Sequence, residues 1–350
     1  MEYFSTRNNE LKESFTKILF QGLSEDGGLF LPVKWPNINI NKLGDKSYEE
    51  VAFNIIHPFI GDDISKNNLK NILELTYKNF KHTKIAPLVK IDHNKYILEL
   101  FYGPTLAFKD YALQLLGNLF SHLMKNIDKK ITIIGATSGD TGSAAIDAFK
   151  GKKNINIFIL HPYNKISEVQ RRQMTTTFED NVYNIALEGN FDDCQKIVKN
   201  LFVDSNLQKK TSLTAINSIN WARLMAQIVY YFWAYLQLKQ EKVSFVVPSG
   251  NFGNIFSARI AKHMGLPVSK LHIVTNQNDI LHKIISLGEM KKQNVQETYS
   301  PSMDIQMSSN FERQIFESVK KDSNEVNKIM ACLNDNQKYI FGNKGKNDFQ

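Results

Sequence analysis

The spacing of apolar residues changes character along the chain. From Ser47 to Ile60 and from Lys66 to Phe80 they recur every three or four positions, with Ser47 placed as a cap. That spacing predicts two helices, and residues 1–80 read as a mostly helical region. From Lys84 onward, short apolar runs bounded by turn residues alternate with helical stripes. Lys95–Phe101 reads as a strand, Gly103-Pro104 as a turn, and the next stretch as a helix with Tyr111, Ala112, Leu115, Leu116, Leu119, Phe120 and Leu123 on one face.

Two strand-loop-helix-strand units follow. In the first, Lys130–Ala136 is a strand, Thr137–Gly142 a loop, the next nine residues a helix ended by Gly151, and Ile155–Leu160 a strand. In the second, the strand Val243–Pro248 leads through Ser249–Asn254 into a helix stopped by Gly265 and Pro267, then into the strand Lys270–Thr275. Strands alternating with helices predict an α/β fold of mainly parallel sheets flanked by helices, behind the helical N-terminal region. A helical pattern over Phe191–Phe202 places Cys194 on its apolar face, as a core residue and not a nucleophile.

Composition narrows the field. The longest near-continuous apolar run, Met225–Leu236, is interrupted by Gln227 and falls short of the ~20 residues that span a bilayer, so no membrane span is expected. The first fifteen residues are polar with acids mixed in, unlike a signal or transit leader, and the expected location is the cytoplasm. Cys194 and Cys332, the only cysteines, form neither a disulfide framework nor a ligand pair, which fits a reducing compartment. The net charge of +8 comes from lysines interleaved with acids and asparagines, which describes a solvated surface and no nucleic-acid patch. The eight histidines show no metal-ligand spacing, so no metal is expected.

Candidate chemistry lies in the loops. Thr137–Gly142 and Ser249–Asn254 both join a strand to a helix, where free backbone N–H groups and the positive helix end favour a phosphate. Either loop alone also fits an ordinary turn; neither has the spacing of a nucleotide-binding motif. Lys109 stands among apolar and small residues at the start of a helix. Such a lysine either snorkels to solvent or, if buried at the positive helix end, has its neutral amine made accessible for Schiff-base chemistry. A Schiff-base lysine and a phosphate cup are the minimum requirements for pyridoxal phosphate.

Three segments, "GPTLAFKDYALQ" with Lys109, "ATSGDTGSAA" and "VPSGNFGNI", resemble the signature segments of the threonine synthase family, within the fold-type II pyridoxal-phosphate enzymes (tryptophan synthase β-like). "YFSTRN", "GLSEDGGLFLP", "FDDCQ" and "NSINWARL" extend the resemblance in family order from about Tyr3 to Phe311, and "DGGLFLP" discriminates best within the wider fold. The resemblance implies that Lys109 bonds to the cofactor and later shuttles protons. It implies that Ser249, Gly250, Asn251, Phe252, Gly253 and Asn254 hold the cofactor phosphate, with Asp140 beside the cofactor ring. Thr137, Ser138, Thr141, Lys165, Ser167 and Asn217 become candidates for the substrate and its phosphate. The implied reaction converts O-phosphohomoserine and water to threonine and phosphate, the last step of threonine biosynthesis. The alternatives are another lyase of the same fold, such as a serine/threonine dehydratase or sulfhydrylase, and a non-catalytic binding protein.

The expected organisation is an N-terminal domain (1–80), a large cofactor domain (81–125 with 205–300), a smaller α/β domain (126–204) and an incomplete C-terminal region (301–350). The family pattern continues into a segment with a "PHTA"-like motif and a threonine-containing stretch, neither of which occurs here. The expectations are reduced turnover, apolar surface left open on the large domain with lower solubility or self-association, and a poorly ordered tail from about Lys338. The sequence leaves monomer and homodimer equally open.

Overall fold

The computed structural model describes residues 1–204, 206–207, 211–238 and 240–341. Its centre is the helix Trp221–Leu238, which carries the long apolar run and buries side chains on all sides. Helices Tyr48–Ile60, Asp110–Leu123 and Gly253–His263 pack around it. Among the described residues no helix is long and apolar enough to cross a membrane.

The N-terminal region contains both predicted helices, Tyr48–Ile60 and Lys66–Tyr77. Ser47 and Glu50 form a reciprocal capping box at the first, and Ser65 caps the second. The region is less helical than its spacing predicts, because Glu2–Ser5 pairs antiparallel with both Glu13–Ser14 and Phe30–Pro32. These strands are too short for alternation to reveal them. Their apolar residues Tyr3, Phe30 and Leu31 are fully buried.

Both strand-loop-helix-strand units form. Four parallel strands run in the order Val182–Leu187, Ile155–Pro162, Ile131–Ala136, Ser212–Thr214, with Ile131 opposite Ile155 and Ala136 opposite Leu160. Val243–Pro248 pairs in parallel with Val268–Val274. The remaining sheets are antiparallel. The strand read as Lys95–Phe101 ends at Leu98 and makes a hairpin with Leu88–Asp92. Helices Asp110–Leu123 and Asp140–Phe149 approach closely at Gly117, where a Cβ would stand 2.4 Å from the Ala148 carbonyl oxygen. Cys194 is fully buried in a small cluster with Ile134 and Leu160, and burial pushes its thiol up.

Val246 is 66% exposed and Val274 45% exposed on alternating positions of the two-stranded parallel sheet. Parallel strands are ordinarily covered on both faces. The tail departs from expectation at its start: Lys338–Ile340 pairs antiparallel with Glu289–Lys291, and the Phe341 amide donates to the Gly288 carbonyl at 2.9 Å. Tyr339 and Phe341 pack ring against ring, an apolar alternation hidden within a segment of polar average composition. The rest of the expected disordered tail, residues 342–350, lies outside the described residues.

Candidate active site

Lys109 directly precedes the helix Asp110–Leu123, and the turn before it is stapled by the next residue. The fully buried Asp110 carboxylate accepts from Thr105 N at 2.9 Å and from Thr105 Oγ1 at 2.7 Å. Gly103 permits this, since a Cβ there would stand 2.4 Å from Asp110 Cβ. Burial pushes the Asp110 carboxyl up to about 6 in spite of those donors. The sequence suggests only a helix-dipole role for Asp110; its stapling of the Gly-Pro turn has no signature beyond its closeness to Thr105.

The Lys109 side chain is 14% exposed, and its ammonium donates to Asp140 Oδ2 at 3.0 Å. Burial pulls its pKa down, the Asp140 carboxylate holds it up, and the nearby Arg223 guanidinium pulls it down further. Burial also raises Asp140, but Lys109 and a hydrogen bond from Ser302 Oγ outweigh that and keep it an anion. Its other oxygen, Oδ1, accepts from Gln170 Nε2 at 2.9 Å.

Asp140 opens the helix Asp140–Phe149, and the loop before it is closed on itself. Thr137 Oγ1 accepts from the amides of Gly139 at 3.0 Å and Gly142 at 2.8 Å. Thr137 is buried, Ser138 exposed and Thr141 half-buried. Gly139 has φ +144°, a conformation open to glycine and strained for other residues. Close packing also fixes Gly142, where a Cβ would stand 2.4 Å from Thr137 Cγ2 and 2.7 Å from Met174 Sδ.

The second loop is built the opposite way. The helix Gly253–His263 begins after Phe252 at φ +65° and has no side-chain cap, so its first N–H groups lack intrahelical acceptors. The loop is held by its carbonyls and side chains. Gly250 O accepts from Ser308 Oγ, Asn251 O from Asn310 N at 3.1 Å, and Asn254 O from Tyr231 Oη at 2.8 Å. Asn251 Oδ1 accepts from Ser309 Oγ at 3.0 Å, and Asn254 Nδ2 donates to Pro248 O at 2.9 Å. Ser249 is buried.

Residues 299–310 join the two loops. Ser302 reaches Asp140, Ile305 packs where Gly250 has no Cβ, and Ser308 and Ser309 hold the second loop. Between them opens a cleft of about 620 Å³ whose walls include Thr105, Asp140, Ser167, Gln170, Pro248 and Ser302. Ser167 caps the helix Glu168–Thr175. Lys165 and Asn217 are exposed and do not line the cleft, although the neighbouring Ser218 carbonyl accepts from Asn310 Nδ2 at 3.2 Å. Gln170 and Ser302 escape the sequence reading. For Gln170 the available signal is its position one turn after the Ser167 cap.

Lys109 and residues 249–254 are not among the walls of this cleft, which their neighbours Phe108, Asp140 and Pro248 line. An ammonium beside a carboxylate, together with an uncapped helix start, fits a group that carries both an aldehyde and a phosphate. Among the described residues no group of three or more His, Cys, Asp or Glu is arranged to hold a metal. The family described as pyridoxal-phosphate dependent enzyme matches residues 81–332, and the family described as threonine synthase N terminus matches residues 2–77. The chain is therefore a pyridoxal-phosphate-dependent enzyme of the fold-type II class.

Relatives narrow this further. Threonine synthase of Pseudomonas aeruginosa is 49% identical over 95% of this chain and 72% of its own length. That of Saccharomyces cerevisiae is 44% identical over 89% of this chain and 65% of its own. The crystal structure of pyridoxal-phosphate-bound threonine synthase from Brucella melitensis superposes with a TM-score of 0.95 at 45% identity, over 99% of this chain and 76% of that one. The chain belongs to the threonine synthase family of lyases.

Proposed function

We propose that this chain converts O-phosphohomoserine and water to threonine and inorganic phosphate. The observation that carries the reading is Lys109 Nζ, 3.0 Å from Oδ2 of Asp140, a residue that lines the cleft with Ser302 and Pro248. Membership of a family whose relatives bear the name of this activity supports it.

The cofactor supplies the electron sink that makes protons at the substrate's Cα and Cβ removable. Lys109 anchors it and carries protons, and its low-lying pKa keeps the neutral amine within reach. The segment Ser249–Asn254, with Gly250, Asn251, Phe252 and Gly253 presenting backbone N–H groups and the positive helix end, holds the cofactor phosphate. Asp140, kept anionic by Lys109 and Ser302, would supply a negative charge next to the bound cofactor. Ser138, Thr141 and Ser167, the last on the cleft wall, take the substrate and its phosphate, with Lys165 and Asn217 at the rim and Thr137 shaping the loop. Loss of phosphate and addition of water at Cβ complete the change.

We divide the chain into an N-terminal domain, a large domain and a smaller α/β domain, and assign Ser212–Thr214 to the smaller one because it pairs with Ile131–Ile133, although the sequence places it with the large domain. We place the protein in the cytoplasm, which the two free cysteines suit. Incubation with O-phosphohomoserine and pyridoxal phosphate is expected to release phosphate and threonine in equal amounts. Lys109→Ala is expected to lower the rate more than about 10³-fold and to remove the cofactor's absorbance near the visible edge. Ammonia release from serine or threonine without phosphate turnover assigns the dehydratase reading instead.

A further inference from the structure

Gln170, to which the proposed reaction assigns no role, stands at the centre of a hydrogen-bond chain from Ser167 to Asp140. Its carboxamide occupies the place where Gly139 would carry a side chain, since a Cβ there would lie 2.0 Å from Gln170 Oε1. Ser167 Oγ donates to that Oε1 at 3.0 Å, and Gln170 Nε2 donates to Asp140 Oδ1 at 2.9 Å. Ser167 Oγ also accepts from the Gln170 amide N at 3.3 Å, which seats the pair on one helical turn. A carboxylate only accepts hydrogen bonds, and the hydroxyl proton needs an acceptor, so both ends dictate the same orientation of the amide. With Oδ1 taken, Oδ2 is turned to Lys109 Nζ and Ser302 Oγ.

We propose that Gln170, oriented by Ser167, is a positioning residue that turns the Asp140 carboxylate onto the Lys109 amine. The charged groups that face Lys109 are Asp140 from its own helix and Arg223 from the central helix. The Arg223 guanidinium repels the ammonium, so the orientation of one carboxylate decides how much counter-charge the lysine meets. The consequence for the cofactor rests on the reading of Lys109 as its attachment point; the hydrogen-bond geometry does not.

The test is competitive acetylation of the full chain across a pH series, with the reactivity of Lys109 read by mass spectrometry. Gln170→Met removes the amide at similar volume, frees the carboxylate to turn away, and is expected to lower the pH midpoint of Lys109 by about one unit. Gln170→Glu also removes the donor to Asp140 but puts a negative charge in its place, so its midpoint is expected above that of Gln170→Met. Ser167→Ala leaves the amide free to rotate and should give a smaller fall than Gln170→Met. A fall in Gln170→Met that the added charge of Gln170→Glu offsets is not produced by lost packing alone. A midpoint in Gln170→Met equal to that of the unaltered chain overturns the proposal. If Gln170→Met does not fold, Ser167→Ala decides by the same criterion. Borohydride trapping with pyridoxal phosphate separates the two readings: no label at Lys109 in the unaltered chain overturns the cofactor role, while the acetylation midpoints still judge Gln170.

Discussion

The two loops that join a parallel strand to a helix, Thr137–Gly142 and Ser249–Asn254, share their grammar and differ in what their amides do. In the first, Thr137 consumes the amides of Gly139 and Gly142, and Asp140 is held by Lys109, Ser302 and Gln170. In the second, the helix start is uncapped and the contacts made by neighbouring segments fall on carbonyls and side chains. A phosphate needs donors, and the second loop, whose neighbours take carbonyls and side chains instead of amides, is the better suited to be the phosphate cup. The first is a rigid mount for one carboxylate, with two of its amides already taken by Thr137.

The contrast can be broken in several ways. Gly139→Ala puts a Cβ where φ is +144° and the Gln170 carboxamide sits, and should cost about 3 kcal/mol. The same change at Gly253, where a Cβ meets Asn310 Nδ2 at 3.3 Å, should cost less than about 0.5 kcal/mol. Thermal melts of the two variants side by side read the difference; equal losses would mean that both loops are equally strained. Pyridoxal, which lacks the phosphate, should bind about 100-fold more weakly than pyridoxal phosphate, as expected when several charge-assisted hydrogen bonds are lost. A smaller ratio by absorbance titration would deny the second loop its role.

Asp110, beside the first loop's lysine, gives a pH signature. Its folded pKa of about 6 lies above the ordinary carboxylate value, so the folded chain binds more protons than the unfolded one between about pH 4 and 6. Stability should therefore fall by about 2 kcal/mol as pH rises through that window, and Asp110→Asn should flatten the fall in melts taken at several pH values. A smaller loss than that of Gly139→Ala is expected from Thr137→Val. It leaves the Gly139 and Gly142 amides without their acceptor, at a cost of about 1–2 kcal/mol, and converts the first loop toward the open-amide state of the second.

Much of this architecture was legible because period carries it. Ser47 and Tyr48–Ile60, the strand Ile131–Ala136 and the unit from Val243 to Val274 all repeat a pattern long enough to read. The strands at Glu2–Ser5 and Phe30–Pro32 were not, because three or four residues cannot display an alternation and what fixes them lies far away in sequence. The site divides likewise. Lys109 stands out by local context and Asp140 only by the family resemblance of its loop, whereas Ser302 meets Asp140 from 162 residues away, a partnership that no local window contains. Lys165 and Asn217, taken from motif position alone, lie outside the cleft walls, and the motifs by themselves do not say which way a side chain faces.

The helix Phe311–Ser318, which directly follows the segment that links the loops, is tied back to the beginning of the chain. Glu312 accepts from Thr6 Oγ1 at 2.5 Å and pairs with Arg7 at 2.9 Å, while buried Arg313 donates through Nε at 3.1 Å and Nη2 at 3.0 Å to the Phe30 carbonyl. The residues that discriminate this family at the N-terminus are thus the dock for a helix made some 300 residues later. On a ribosome adding about 5–20 residues per second, that dock stands empty for about 15–60 s, with Thr6 and the Phe30 carbonyl waiting for their partners. The active-site cleft therefore cannot close progressively as the chain emerges; its last strap and the lock on its first strands arrive together.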